Sequence, residues 1–424
     1  MAQVKRRVTK PKADIAAKTA AATPQNAKAA AQQAVIRVVP RIADIAAEDW
    51  DACARGAEDP AAPSNPFTSH AFLNAIEESG SASRETGWLP SHILVEDDTG
   101  RLAGCMPCYL KSHSRGEYVF DQGWADAYMR AGGRYYPKLQ ASVPFTPVTG
   151  RRLLVREGPG RAETEMLLLK GGVALTEKLD LASLHVTFLT SDEWRLAGTL
   201  GYLQRTDQQF HWRNEGYDNF DAFLAALSSR KRKAIRKERR EAIEAGIEIE
   251  WVTGSDLTEA HWDAFFEFYM DTGARKWGAP YLNRRCFSVL GETMADQILL
   301  VLAKRGDRYI AGALNFIGPD TLYGRYWGAI EDHPCLHFEI CYYQAIDFAI
   351  AHKLSSVEAG AQGAHKLARG YLPVETYSAH YIADPGLRRA VADFLRRERR
   401  AVALEIALLG EESPFRSGAD ESRS

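Results

Sequence analysis

Alternating apolar and polar positions along the chain predict short strands that are separated by helices. Residues 92–110 (HILVEDDTGRLAGCMPCYL) and 299–317 (LLVLAKRGDRYIAGALNFI) each show a strand, a turn with Gly and Asp, and a second strand. An aromatic strand follows each hairpin, GEYVFDQGW in the first case and TLYGRYWG in the second. A helix-length segment, a buried strand and a further helix come next in both places.

A Gly-Tyr-Leu tripeptide then opens the last strand of each series. The two stretches are GYLQRTDQQFHW and GYLPVETYSAHY, and each places a histidine ten residues after the glycine, His211 and His380. Because the same order of elements occurs twice, we predict an internal duplication. The predicted fold class is α/β (α+β), with mixed twisted sheets flanked by helices and halves at 35–215 and 216–405.

The two ends of the chain differ from this pattern. Residues 1–34 are rich in alanine and carry seven Lys or Arg against one Asp, which predicts a disordered basic tail. An organellar targeting peptide is the second interpretation. Residues 406–424 are also predicted to be disordered. No apolar run reaches the ~20 residues of a membrane helix, so no membrane span is expected.

Overall charge and cysteine content narrow the function classes. The 424 residues hold 53 Lys or Arg and 55 Asp or Glu, a net charge of −2, so any nucleic-acid partner must meet a local patch. Six cysteines are few for this length and favour a reducing compartment, which predicts a cytoplasmic protein.

One C-x-x-C pair, Cys105 and Cys108, resembles a metal or redox motif. The pair lies within a predicted strand, where odd spacing directs the two side chains to opposite faces. We therefore predict structural cysteines and no metal site.

Several long stretches resemble the FemAB-like family, which is described as predicted N-acyltransferases in peptidoglycan biosynthesis or recognition. They are residues 116–154, residues 209–240, LYGRYWG, LHFEICYYQAIDFAI and EAGAQGAHKLARGYLP. The resemblance covers about residues 40–405 and implies two tandem GNAT acyltransferase domains, as in the Fem-type aminoacyl-ligases. The pyrophosphate loop with which ordinary GNAT enzymes bind CoA is missing, and Fem-type enzymes similarly take their acyl group from aminoacyl-tRNA. The co-substrate is thus acyl-CoA or aminoacyl-tRNA, with no tightly bound cofactor.

The polar run EAGAQGAHKLARG follows a predicted central strand and offers the groups that N-acyl transfer requires. Glu358 is expected to accept the amine proton, Gln362 to orient the amine or the oxyanion, and His365 to shuttle a proton. Lys366 and Arg369 are expected to hold a phosphate or carboxylate. The alternative is a capped helix N-terminus whose cations are solvated.

The preceding strand and helix add candidate substrate-binding residues. Alternation predicts that Tyr323, Arg325 and Trp327 share one strand face, and the following helix is expected to begin near His337. Glu339 and Tyr343 are four residues apart on one side of that helix. The alternative is an amphipathic strand beside a core helix.

A strongly basic helix is predicted at the start of the second half. Residues 230–240 hold eight basic residues and one acid, Glu238. The candidate phosphate-binding residues are Arg230, Lys233, Arg236, Lys237 and Arg240. The alternative is a solvated surface, since Glu241 and Glu244 partly balance the charge.

The aromatic segment of the first half is predicted to line a groove for the acceptor amine, with Trp124, Tyr136 and Lys138 as contacts. A packed interface between the halves is the alternative.

Together these patterns predict an N-acyltransferase that moves an acyl or aminoacyl group to an amine, which the resemblance suggests is a peptidoglycan precursor. Charged tRNA is a candidate partner. The second half is expected to hold the reacting centre. The alternative is a non-catalytic module that binds a wall precursor or RNA.

Overall fold

The computed structural model describes residues 34–56, 64–276, 280–360 and 363–416. The predicted N-terminal tail lies outside these residues, except for Ala34.

Fifteen strands are found in the described chain. They are β1 (Val35–Val39), β2 (Trp88–Pro90), β3 (His92–Glu96), β4 (Leu102–Met106), β5 (Cys108–Lys111), β6 (Lys138–Ala141), β7 (Leu154–Val155), β8 (Ser183–Leu189), β9 (Leu203–Arg213), β10 (Ile247–Thr253), β11 (Ile298–Arg305), β12 (Arg308–Ile317), β13 (Thr321–Ala329), β14 (Ser356–Glu358) and β15 (Leu372–Ile382).

Twelve α-helices accompany them in the same part of the chain. They are α1 (Ala47–Arg55), α2 (His70–Glu78), α3 (Gln122–Arg130), α4 (Arg161–Lys178), α5 (Ser191–Thr199), α6 (Phe220–Ala226), α7 (Ser229–Ile243), α8 (Glu259–Lys276), α9 (Arg284–Met294), α10 (Leu336–Phe338), α11 (Gln344–Ala351) and α12 (Pro385–Glu411). A π-helical turn, Glu339–Tyr343, joins α10 to α11. Short 3-10 helices lie at Ile42–Asp44, Pro66–Thr68, Gly254–Asp256, Ala295–Gln297 and Ala364–Arg369.

The strands form a large sheet and a small one. The large sheet has eleven strands in the order β10-β11-β12-β13-β14-β9-β15-β8-β6-β5-β2, and the small sheet has the order β1-β3-β4-β7. Both predicted hairpins are present, as β3–β4 and β11–β12. In the first hairpin Pro107, which cannot donate to a ladder, stands between β4 and β5, and these two strands belong to different sheets.

The two Gly-Tyr-Leu strands pair with each other at the centre of the large sheet. In the antiparallel register of β9 and β15, His211 faces Leu372 and Leu203 faces His380. β9 also pairs with β14, and β15 pairs with β8. Each half therefore places its last strand beside a strand of the other half. The division at 215/216 stays a prediction.

Alternation along β11 defines two faces of the second-half sheet. Ile298, Leu300 and Leu302 pack with α2, α8 and α9 on what we call the α8 face. Leu299 and Val301 pack with α6, α7, the π-helical turn and α11 on what we call the α11 face. The sheet is thus buried on both sides, which explains the continuous apolar run of β11.

A β-bulge interrupts β13. Its pairing with β12 steps from Leu314–Tyr326 to Asn315–Gly324, which leaves Arg325 without an opposite residue.

The bulge overturns part of the strand prediction. Tyr323 packs on the α8 face beside Arg325, and Trp327 packs on the α11 face, so the three residues do not share one face. A single extra residue reverses the alternation of side chains that follow it.

The end of the chain also differs from the prediction. α12 continues to Glu411, so residues 406–411 are helical instead of a tail. Phe415 forms a β-bridge with Leu227, and Ser228 N donates to the Pro414 carbonyl oxygen at 3.0 Å. Apolar periodicity and these backbone contacts extend the ordered chain to residue 416, whereas residues 417–424 lie outside the described residues.

The two cysteines of the C-x-x-C pair pack in different cores, as predicted, but they lie on two strands, β4 and β5, instead of one. Cys105 lies in the cluster on the α8 face and Cys108 lies in the separate first-half core. Both are free thiols, and burial raises the pKa of each one. In the described residues no helix has the length and apolar content needed to cross a membrane.

Candidate active site

A polar cluster closes the end of β14 on the α8 face. Glu358, the last residue of β14, accepts a hydrogen bond of 2.9 Å from the Arg325 guanidinium and one of 2.9 Å from the Thr149 hydroxyl. His211 lies opposite on β9, with Nε2 3.8 Å from Glu358 Oε1. The Glu358, Arg325 and His211 side chains are 6%, 2% and 12% exposed, whereas Thr149 is half-buried. Thr149 is therefore the more accessible edge of the cluster.

Arg325 reaches Glu358 because the bulge directs it there. Its guanidinium lies 4.9 Å from the centre of the Phe67 ring and 5.2 Å from that of Tyr323. These aromatic faces and the Glu358 carboxylate compensate the buried positive charge. Arg325 Nε has no hydrogen-bond partner among the described residues.

The loop that carries Thr149 comes from the first half and is held by buried side chains. Gln209 donates to the Pro147 carbonyl oxygen at 2.6 Å, and Asn65 donates to that of Thr149 at 3.2 Å. The fully buried Arg152 donates to the Val148 carbonyl oxygen at 2.5 Å. Because these donors fix the backbone, the Thr149 hydroxyl is held toward Glu358.

The surroundings of His211 assign its hydrogen. Nε2 lies 3.2 Å from Gln209 Oε1 and faces Glu358 Oε1, so Nε2 carries the hydrogen and Nδ1 keeps a lone pair. Burial lowers the pKa of His211, and nearby positive charges lower it further against the opposing effect of Glu358. At neutral pH the ring is therefore uncharged and able to accept a proton.

His365 lies on the other side of the sheet. Its Nε2 is 2.9 Å from the Tyr342 hydroxyl, and its ring contacts Phe338 on the α11 face. The structure therefore does not bring His365 to Glu358, because the chain turns at Gly360, where φ is +77°. Gln362 lies outside the described residues.

Lys366 and Arg369 hold protein atoms instead of facing a cleft. Lys366 Nζ donates to the carbonyl oxygens of Ala359 at 2.5 Å and Gly360 at 3.0 Å, and burial lowers its pKa to about 8. Arg369 binds Glu238 with two hydrogen bonds of 2.9 and 3.0 Å. The expectation that they bind an anionic group of a ligand is corrected here, because both are buried, Lys366 against its own loop and Arg369 against Glu238 of α7.

Glu339 and Tyr343 likewise contact α7. Arg239 binds Glu339 with hydrogen bonds of 3.1 and 2.8 Å, and the Tyr343 hydroxyl donates to Glu238. The two side chains do share one side of the helical segment, as predicted. That side receives α7, so their predicted role as substrate contacts is replaced by one in helix docking.

The outer face of α7 is free of such contacts for most of its length. Arg236 forms an exposed ion pair of 2.9 Å with Asp221. The candidate phosphate-binding residues are all exposed, namely Arg230, Lys233, Arg236, Lys237 and Arg240. The helix therefore presents a positive surface while Glu238 and Arg239 attach it to the π-helical turn.

A cleft of about 240 Å³ lies at the end of β13, between the end of α8 and the segment that leads to α10. Trp327 and His337 line it, with ring centres 5.1 Å apart, and Glu331 and Arg275 also contribute. Trp327 and His337 are thus brought together, as candidates for substrate contact, on the side opposite Glu358. No group of His, Cys, Asp or Glu able to hold a metal ion is found in the described chain.

The predicted acceptor groove of the first half is closed. Lys138 is fully buried, and its Nζ donates to Ser114 Oγ at 2.8 Å, to Glu117 at 2.7 Å and to Asp121. Two carboxylates surround its ammonium group, because a buried charge requires compensation.

The neighbouring aromatic residues are packed as well. Trp124 is buried, with its ring centre 5.0 Å from that of His380 on β15, and Tyr136 is half-buried with its hydroxyl 2.7 Å from Ser114 Oγ. The groove prediction is therefore wrong for these residues. The alternative of a packed interface between the halves holds for Trp124, whereas Tyr136 and Lys138 contact side chains of the first half.

His185 occupies in the first half the position that Glu358 has in the second. β8 pairs His185 with His380, and β14 pairs Glu358 with His211. Burial lowers the pKa of His185 to about 3, so this position is neutral in the first half. Of the two equivalent positions, the one in the second half carries a carboxylate.

Sequence reasoning missed two members of the Glu358 cluster. In the sequence His211 stands out only as a mark of the repeat, and no local pattern indicates that its strand pairs with β14 of the other half. Thr149 lies in the PFTPVTGRR stretch, which contributed to the family resemblance without a residue being singled out.

Comparisons with known proteins agree with this architecture. The chain matches the FemAB-like family, described as peptidoglycan biosynthesis/recognition, over residues 41–417. No curated protein matches the chain.

Among solved structures, FemX aligns with a TM-score of 0.52 and 13% identity, covering 82% of this chain and 98% of that one. L-PGS from Bacillus licheniformis aligns with a TM-score of 0.47 and 8% identity, over 85% of this chain and all (100%) of that one. A tandem GNAT protein from the clavulanic acid biosynthesis pathway aligns with a TM-score of 0.42 and 14% identity, over 83% of this chain and 99% of that one. The FemX alignment spans both halves and confirms the predicted fold.

Proposed function

The chain belongs to the FemAB-like family, and on that premise we propose that it is an N-acyltransferase with its reacting centre at Glu358, Arg325, Thr149 and His211. The observation that carries the proposal is the ion-paired carboxylate at the end of β14 beside a neutral histidine whose side chain is 12% exposed. The acceptor is an amine, and the family description supports a peptidoglycan precursor as the molecule that carries it.

The geometry suits direct transfer. The amine nitrogen attacks the acyl carbonyl carbon, a C–N bond forms, and the bond to the oxygen or sulfur of the donor breaks. His211 Nδ1 takes the proton that the amine loses, and Glu358 stabilises the resulting imidazolium across 3.8 Å. The leaving oxygen or sulfur receives that proton, which returns His211 to its neutral form. Arg325 fixes the Glu358 carboxylate through its ion pair.

A covalent enzyme intermediate is not required. Cys105, Cys108 and Cys286 are buried, and burial raises the pKa of each thiol, which disfavours the thiolate. Replacing each cysteine by alanine should therefore leave turnover intact, which a covalent mechanism would not permit.

The donor carries phosphate, and the exposed face of α7 is its proposed contact. Aminoacyl-tRNA and acyl-CoA both meet this requirement. Charged tRNA is a polyanion that would contact several cations of α7, whereas CoA would contact few. Binding of charged tRNA would therefore depend more steeply on salt concentration than binding of acyl-CoA.

The experiment titrates acetyl-CoA, a long-chain acyl-CoA and a charged tRNA pool separately by calorimetry, at low and moderate salt. Each donor that binds is then incubated with a nucleotide-linked wall precursor, and amide formation is followed by mass spectrometry. Amide formation with any donor supports the proposal. Salt-dependent binding without turnover would favour a non-catalytic module, which is the second candidate.

A further inference from the structure

The second half of α12 carries an apolar stripe that the described chain leaves uncovered. α12 packs on β9 and β15 through its first half, where Leu387, Val391 and Leu395 are buried. After Leu395 no side chain of the helix is buried, and Leu404 and Leu408 are 62% and 53% exposed. Adjacent exposed leucines on a helix face indicate a contact with another surface.

Charged residues flank these leucines in a directional order. Arg397, Arg400, Leu404, Leu408 and Glu411 follow each other at spacings of three and four, so they form one stripe along the helix. All five are exposed. In the described part of the chain, none of the three charged side chains forms an ion pair or a hydrogen bond.

We propose that this stripe binds the same stripe of a second copy in an antiparallel helix pair centred on Leu404. Two-fold symmetry then places Leu404 against its own copy and Arg400 against Leu408. It also places Arg397 against Glu411, and the symmetry repeats this ion pair on the other side. Apolar contact at the centre and opposite charges at both ends are the pattern of a self-complementary interface.

Other occupants fit the stripe less well. A parallel pair would place Arg397 against Arg397 and Glu411 against Glu411, which repel. An anionic lipid surface would meet Glu405, Glu411 and Glu412 beside the leucines. The stripe is short, so the dimer is expected to be weak and to dissociate on dilution.

The test measures the oligomeric state of the full chain by sedimentation velocity over a dilution series. The wild-type chain should show a concentration-dependent dimer. Arg397→Glu and Glu411→Arg should each weaken association by about 10-fold, because each reverses both symmetric ion pairs. The double variant Arg397→Glu/Glu411→Arg restores opposite charges and should recover the wild-type dissociation constant.

The control is Arg389→Glu, which makes the same charge change on an exposed position of α12 before the stripe. It should leave the dimer intact. A wild-type monomer at all concentrations would overturn the proposal, as would equal association of the wild type and both single variants. Binding of the monomer to anionic vesicles without dimerisation would assign the stripe to a membrane and also overturn it. The dimer does not depend on the proposed reaction, so its test is independent of turnover.

Discussion

The hydroxyl of Thr149 is the contact by which the first half completes the Glu358 cluster. It donates a hydrogen bond of 2.9 Å to the nearly buried Glu358 carboxylate. Hydrogen bonds to a charged group are stronger than those between neutral groups. Thr149→Val should lower kcat/KM by about 10-fold, because Glu358 loses a donor without losing its packing. Thr149→Ser keeps the hydroxyl and should remain close to wild type.

The measurement is steady-state kinetics of both variants, with thermal unfolding as the control for stability. A positioning role also predicts that Thr149→Val shifts the acid limb of the pH profile, which a purely structural defect would not do. Equal loss of activity in the Val and Ser variants would contradict the role of the hydroxyl.

The protonation of His211 predicts the pH dependence of transfer. Burial lowers the pKa of His211 below its usual 6.5, so the neutral form that accepts a proton predominates at pH 7. Activity should be present above this pKa and be lost as the pH falls through it, with a midpoint below 6.5. The profile of kcat/KM should be measured with an acceptor amine of known pKa, and an acid limb centred above pH 7 would contradict the assignment.

Individual site residues could be predicted only in part. Glu358 was predicted because a carboxylate after a buried strand is visible in the sequence. The buried state of Lys138, Lys366 and Arg369 was not predictable, since their partners are far away in the chain or are backbone carbonyl oxygens. A cation in a polar run appears the same in sequence whether it faces a ligand or a protein oxygen.

Helix α7 has one face whose charged side chains pair within the protein and another face whose basic side chains are exposed to solvent. Glu238 and Arg239 attach it to the π-helical turn, and most of its remaining basic residues are exposed, namely Arg230, Lys233, Arg236, Lys237 and Arg240. Lys233→Glu combined with Lys237→Glu should weaken binding of the donor by about 10-fold or more at low salt and reduce the salt dependence, since the folded structure does not use these side chains.

The matched control for this pair is Lys170→Glu combined with Lys178→Glu, which makes the same charge change at exposed positions of α4. Donor affinity should be measured by calorimetry at two salt concentrations. An equal effect of the two double variants would show that general charge, and not α7, governs binding.

Elements were easier to predict than the directions of their side chains. Both hairpins and the aromatic strand of the second half, β13, follow from local alternation, which is a property of the adjacent sequence. The aromatic strand predicted at GEYVFDQGW is wrong, because residues 116–121 form no strand and α3 begins at Gln122. The bulge at Arg325 depends on pairing with β12, and it reversed the face of Trp327. Local periodicity contains no information about an extra residue in the partner strand.

Exchange of the last strands connects the halves of the molecule. β15 lies between β9 and β8, and β9 lies between β14 and β15. Residues 34–215 and 216–416, produced as separate fragments, should each expose unpaired strand edges and fail to fold alone. Co-expression should restore a stable complex, detectable by size-exclusion chromatography and circular dichroism, whereas two soluble folded fragments would contradict this dependence.

This exchange could not be predicted from the repeat. Self-similarity indicates two related units but not which strands pair, and β9 and β15 are more than 150 residues apart in the chain. The same register that joins the halves also brings His211 of the first half to Glu358 of the second. The candidate site is therefore a property of the whole molecule.

The central claim is that Glu358 and His211 catalyse amide formation, and single-turnover transfer tests it most directly. Purified wild-type protein, Glu358→Gln and His211→Asn would be mixed with the bound donor and an amine acceptor, and the amide product would be quantified over time. The account predicts transfer by the wild type and a loss of at least about 100-fold in both variants, with donor affinity unchanged. Because Glu358→Gln leaves the buried Arg325 charge without its carboxylate, this variant is expected to unfold at a lower temperature, and transfer is measured where circular dichroism shows both variants folded. Transfer at the wild-type rate in Glu358→Gln and His211→Asn would contradict it.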